Sequence, residues 1–212
     1  MFGRVKAEDA FTLVELVATL VVLGVLILAT TISIYAATRK TAVRAASEVI
    51  RQQISKTYSL AENGAFHPAT GITRKRDQYR IEFTSNSGGG APDNAYRIRV
   101  REYLGDGLGW DAWATWTPGG NEPEPKSANV KEAESAGWFR PVAHTVVHFA
   151  LTGQGMTQEI DSDSGENIWG ITFEASGSIV TTEGMGSPSL QITDAGGAVQ
   201  ETISVSVFGS VQ

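Results

Sequence analysis

No charged residue occurs between positions 16 and 37 of this chain, and a single carboxylate, Glu15, stands at the entrance to that run. The 22 uncharged positions exceed the roughly 20 helical residues that a bilayer core requires. A carboxylate at membrane depth costs about 2–3 kcal/mol even on lenient insertion scales, and marks function by default. This one feature divides the 212 residues into an apolar N-terminal segment and a polar, Gly-rich remainder, a contrast that a mean hydropathy of −0.09 conceals. The length leaves room for one membrane segment and one modest soluble domain.

A secretory signal peptide is the rival reading of the apolar run, with Arg4 and Lys6 as its basic leader. Such a signal ends in a small-residue cleavage site and a break in the helix. Here the only Gly from position 11 to 63 is Gly24, and no Pro occurs before Pro68. Beyond the apolar run, Val43, Ala46, Val49, Ile50, Ile54, Tyr58 and Ala61 recur at spacings of three and four. Arg44, Glu48, Arg51 and Lys56 fall mostly off that stripe, which is the pattern of a helix packed on a domain. One helix is therefore expected over residues 11–62, roughly 78 Å long, ending at the Asn63-Gly64 cap pair. Counting Lys and Arg alone, the flank with Arg39, Lys40 and Arg44 belongs in the cytoplasm, but long domains translocate largely regardless of charge.

The run Phe11-Thr12-Leu13-Val14-Glu15-Leu16 and the helix after it resemble the class III signal of type IV prepilins and type II secretion pseudopilins. That resemblance implies a prepilin peptidase that cuts between Ala10 and Phe11 on the cytoplasmic side and methylates the new Phe11 amine. It implies that Glu15 is the filament-assembly carboxylate, neutralised by the Phe11 amine of a neighbouring subunit as helices bundle. Where the family has Gly before the Phe, this chain has Ala10, also small; where many major pilins carry a helix-breaking Pro, it has none. The implied organisation is a cleaved leader (1–10), a transmembrane and assembly helix (11–37), the amphipathic half of the same helix (38–63) and a β-rich head (64–212). The implied partners are prepilin peptidase, other pilins or pseudopilins, an inner-membrane assembly platform and membrane lipid. The head would face the periplasm or the exterior.

After Pro68 the sequence turns to strands and turns. Tyr79, Ile81 and Phe83 alternate with Arg80 and Glu82; Tyr96, Ile98 and Val100 alternate with Arg97, Arg99 and Arg101. These are expected as half-buried strands with a solvated arginine face. Residues 85–94 form a loop, and further strands are expected over 145–151, 168–174, 178–182, 189–193 and 202–208. The polar stretch 118–136 is expected to be a surface excursion. A long helix followed by an antiparallel sheet is an α+β fold, and the resemblance makes it pilin-like. The strand-turn Ile171 to Ile179 and the closing Ile203-Ser204-Val205 segment look like the GspH/FimT branch of minor pseudopilins.

The remaining candidates are weighed against plainer readings. His144 and His148 have the i, i+4 spacing of a helical metal pair, but the intervening Thr-Val-Val forms strand, which separates them by roughly 13 Å. Asp161 and Asp163 in a Gly-containing loop suit a hard cation such as calcium, without the distal Glu of an EF-hand; a solvated turn is the favoured reading. Trp110, Trp113, Trp116, Trp138 and Phe139 are read as covers for a thin core, with a recognition surface as the alternative. Arg74-Lys75-Arg76 and the arginines of the Tyr96 strand are the only basic patch, and a net charge of −6 argues against nucleic acid as a partner. There are no cysteines, which removes disulfide and thiolate chemistry. With no nucleophile triad or phosphate loop in the sequence, no enzymatic activity and no cofactor are expected. The expected function is a pseudopilin or minor pilin near a filament tip. The alternatives are a major pilin of an adhesive or DNA-uptake filament, or a single-pass membrane-anchored binding domain.

Overall fold

A computed structural model describes residues 12–63, 65–67, 72–74, 77–85, 94–101, 103–105, 109–110, 113–115, 131–132, 138–141, 147–151, 156–160, 167–176, 178–180, 187–206 and 211. One helix, α1 (Leu13–Asn63), is followed by antiparallel sheets, so the chain is α+β. It divides into two units, residues 1–39 and residues 40–212.

In the first unit α1 is long and apolar enough to cross a membrane, and none of its most apolar window is buried. Its large side chains, among them Leu16, Leu20, Val21, Leu26 and Ile32, are all exposed. The threonine hydroxyls are not left bare. Thr19 donates to the Leu16 carbonyl, Thr30 to Leu26 and Ile27, Thr31 to Ile27 and Thr38 to Ile34, at 2.7–2.9 Å. An apolar surroundings penalises any unpaired polar group, and this back-bonding removes the penalty within the helix itself.

In the second unit the helix turns amphipathic as its sequence period predicts. Val43, Ala46, Ile50, Ile54 and Ala61 are buried, and Asn63 ends the helix with its side-chain amide on the Ser59 carbonyl at 3.0 Å. The longer strands are β1 (Gln78–Phe83), β2 (Tyr96–Arg101), β3 (Val147–Leu151), β4 (Thr157–Ile160), β5 (Asn167–Phe173), β6 (Ser189–Asp194) and β7 (Gln200–Ser204). Strands β4, β5, β1 and β2 pair antiparallel in that order, and the sheet continues through Phe139–Arg140 and Lys131–Glu132. Strands β3, β6 and β7 form a second antiparallel sheet. In register, Ile81 lies opposite Ile98 and Ile171, and Tyr79 opposite Val100 and Phe173. That face joins the helix stripe and Leu190, Ile192 and Ile203 in one core, with Tyr58 edge-on to Phe173 at 6.1 Å.

Several expectations change. The helix starts at Leu13, and the strand expected from 202 begins earlier and runs Gln200–Ser204, while residues 207 and 208 lie outside the described residues. Of the strand expected at 178–182, Ile179–Val180 is strand and Ser178 is not, while residues 181 and 182 lie outside the described residues. Strands β1 and β2 are not half-solvated: every residue of β1 and the first four of β2 are buried. Of the expected excursion 118–136, only Lys131–Glu132 is described, and it is a strand at the sheet edge.

Candidate functional site

The N-terminal end of α1 follows from four residues. Thr12 precedes the first helical turn, and its backbone carbonyl accepts the Leu16 amide at 3.1 Å. Its hydroxyl accepts the Glu15 amide at 3.3 Å, while Glu15 Oε2 accepts the Thr12 amide at 3.0 Å and the Thr12 hydroxyl at 2.9 Å. This reciprocal pair is a capping box, which satisfies orphan donors that every helix N-terminus leaves. The spacing Thr-x-x-Glu was legible at positions 12–15, and reading Glu15 only as an unpaired charge overlooks it. Ala10 and Phe11 lie outside the described residues. One turn further, Ala18, Thr19, Val22, Leu23 and Leu26 line a shallow apolar groove along the helix.

A second cluster of charge lies in the head, on the sheet face opposite the core. Glu82 on β1 accepts Arg97 Nε from β2 at 2.7 Å and pairs with Arg80 Nε at 3.4 Å; all three side chains are only 1% exposed. Arg80 Nη1 reaches across to Glu159 on the edge strand β4 at 2.6 Å. Gly170 on β5 makes that reach possible, since a Cβ there would sit 2.0 Å from Arg80 Nε. Arg101 extends the layer onto Gln78 through its Nε at 2.7 Å, and Gln78 in turn donates to Glu174. Burial pushes the Arg101 guanidinium below its ordinary range, with the nearby Glu159 opposing.

This arrangement corrects the expected solvated arginine face. Tryptophans cover it: Trp138 is buried with the Arg97 guanidinium 4.3 Å from its ring, and Trp113 lies 4.6 Å from Arg101 and takes Arg99 Nη2 on its carbonyl at 2.5 Å. Strand alternation reports which face is polar, not whether a later segment folds back over it. Trp138 joins Ala95 and Ile168 in a small second core, so its reading as a cover holds.

His148 lies on β3 opposite Thr193, with Nδ1 3.5 Å from the Asn94 amide, as the strand reading requires. His144, Asp161, Asp163, Trp116 and the Lys75-Arg76 pair lie outside the described residues, as do the side chains of Arg74 and Trp110. Among the described residues no three His, Cys, Asp or Glu side chains group to hold a metal. Asn94 has a positive φ of 53°, and its side-chain oxygen accepts the Phe149 amide at 2.9 Å, tying the second sheet to the start of β2. Tyr96 is buried, its hydroxyl has no hydrogen-bond partner among the described residues, and burial pushes its pKa far above the ordinary 10.0. Comparison with protein-family models, curated proteins and solved structures returned no match.

Proposed function

We propose that this chain is a pseudopilin or minor pilin, most like the GspH/FimT branch, and that its head has a pilin-like fold. The observation that carries the reading is the Thr12–Glu15 pair at the head of an exposed, uncharged helix that runs without a break into the packed half of α1. An exposed apolar helix of this length needs lipid or other helices around it. The apolar groove lined by Ala18, Thr19, Val22, Leu23 and Leu26 suits a neighbouring helix.

In this reading the precursor sits once in the inner membrane, and prepilin peptidase cuts between Ala10 and Phe11 and methylates Phe11. The assembly platform then extracts the subunit into a short filament for secretion or piliation. Glu15 exchanges its contacts within the capping box for the Phe11 amine of a neighbour as the helices bundle. The role is structural, without catalysis or a required cofactor.

Mass spectrometry of the native protein tests the reading: the expected N-terminus is methylated Phe11, and any other N-terminus refutes it. Glu15→Ala is expected to abolish assembly while leaving the membrane-inserted monomer. If assembly survives that change, a membrane-anchored binding domain is the better account. Dominance of the chain in sheared surface filaments would instead identify a major pilin.

A further inference from the structure

We propose that Tyr35 and Arg39 form a lipid anchor at the far end of the spanning segment, which takes the phosphate of an anionic phospholipid headgroup. The argument begins with depth. From Leu16, the first residue past Glu15, twenty residues of α1 reach Tyr35, and at 1.5 Å per residue they cover about 30 Å, the thickness of a bilayer core. With Glu15 at one boundary, Tyr35 therefore falls at the other. Arg39 lies one turn beyond, about 6 Å further along the axis, where the headgroup phosphates are.

The side chains are built as a unit for that position. Tyr35 is 58% exposed. Arg39 folds back over its ring, with the guanidinium carbon 4.2 Å from the centroid and Nη2 2.5 Å from the hydroxyl. A cation held against an aromatic ring at spacing i, i+4 loses little further freedom when an anion arrives. Tyrosine favours the headgroup level because one end is apolar and the other wet, and arginine carries its charge outward along an apolar stem. Lys40 follows directly in the sequence and adds a second positive charge. The excess of basic residues on this flank, which on Lys and Arg counts alone would place it in the cytoplasm, is then a lipid contact and not a topology signal.

The inference rests on α1 spanning a membrane and not on filament assembly. To test it, the full chain is reconstituted in phosphatidylcholine vesicles containing a minority of phosphatidylglycerol, re-extracted in detergent, and its retained lipid quantified by mass spectrometry. One basic residue near an anionic surface corresponds to about a fivefold preference, so about fivefold enrichment of phosphatidylglycerol over its bulk ratio is expected. Arg39→Gln should return the ratio to near bulk, Tyr35→Leu should lower it, and Lys56→Gln, well beyond the span, should leave it unchanged. Excess inorganic phosphate should not displace the lipid.

No enrichment, an equal fall with Lys56→Gln, full retention in Tyr35→Leu, or displacement by free phosphate would each overturn the anchor. Alkaline extraction of the same vesicles separates the two levels of failure. A chain that stays integrated but shows no enrichment sinks the anchor alone, whereas a chain that washes off sinks the membrane span as well.

Discussion

Replacing Gly170 by Ala offers a sharp test, because the general rule and the local geometry predict opposite signs. Glycine within a strand is ordinarily about 0.5–1 kcal/mol less stable than alanine, so the change should help. Here the added Cβ would lie 2.0 Å from Arg80 Nε, 2.5 Å from Nη2 and 2.6 Å from Cζ. A flexible surface arginine would swing away at little cost. Arg80 is 1% exposed and held by Glu82 on one side and Glu159 on the other, so it has nowhere to go that keeps both ion pairs. Breaking a buried pair costs about 3–5 kcal/mol. Net of the glycine benefit, Gly170→Ala should destabilise the head by about 2–4 kcal/mol.

For a protein of this size each kcal/mol moves the midpoint by about 2–4 °C, so circular dichroism of the full chain in detergent should show a fall of roughly 5–15 °C. The Arg80→Met background isolates the cause. If the collision with the guanidinium is responsible, Gly170→Ala should cost nearly nothing there, giving a coupling of about 2–4 kcal/mol in the double-mutant cycle. A Gly170→Ala single variant as stable as the parent, or an equal loss in both backgrounds, would refute the account of Gly170 as the passage for Arg80.

Three further outcomes follow from particular contacts. Thr12→Ala removes one half of the capping box and should cost about 0.5–2 kcal/mol locally, read as a 2- to 30-fold loss of amide protection at Glu15 in micelles; Thr12→Ser should restore it. Tyr96→Phe removes a buried hydroxyl without a partner among the described residues, so at neutral pH stability should be unchanged or up to about 1 kcal/mol higher. Because burial raises the Tyr96 pKa above 10.0, the folded state keeps a proton that the unfolded state gives up. Its contribution is complete below pH 10.0 and declines above it, so denaturant titrations should show a shallower alkaline loss for Tyr96→Phe than for the parent. Asn94→Ala loses the bond to the Phe149 amide and a side chain that tolerates positive φ, and should cost about 2 kcal/mol in the same titrations. Asn94→Gly should recover only the backbone part.

The sequence makes the helix and the strands legible because each has a period. The stripe Val43, Ala46, Ile50, Ile54 and Ala61 is buried as its spacing requires, and Tyr79, Ile81, Phe83 and Ile98 take the core face of β1 and β2. What stays hidden depends on segments distant in sequence. Arg97 is separated from Trp138 by forty-one positions, and no local pattern at β2 indicates that an aromatic ring will close over its guanidinium. Gly170 is equally silent, since a strand glycine reads as a weak position until Arg80 is seen lying across it. The capping box is the opposite case: its Thr-x-x-Glu spacing is local and complete.

Glu15 and Glu82 show two answers to the same electrostatic problem. Glu82 is removed from water entirely and is held by two arginines, so neither contact can be given up without leaving a buried charge. Glu15 sits on an exposed turn and is satisfied by Thr12 through bonds that span three residues. Such a local cap on an exposed turn makes the carboxylate tolerable in an isolated chain but is small beside a charge pair formed in a desolvated helix bundle. A carboxylate held this weakly is available for exchange, whereas one held as Glu82 is remains fixed. That difference is what the proposed assembly role would require: Glu15 would have to be stable enough to wait at the helix entrance and loosely enough held to leave its cap for a neighbour's amine.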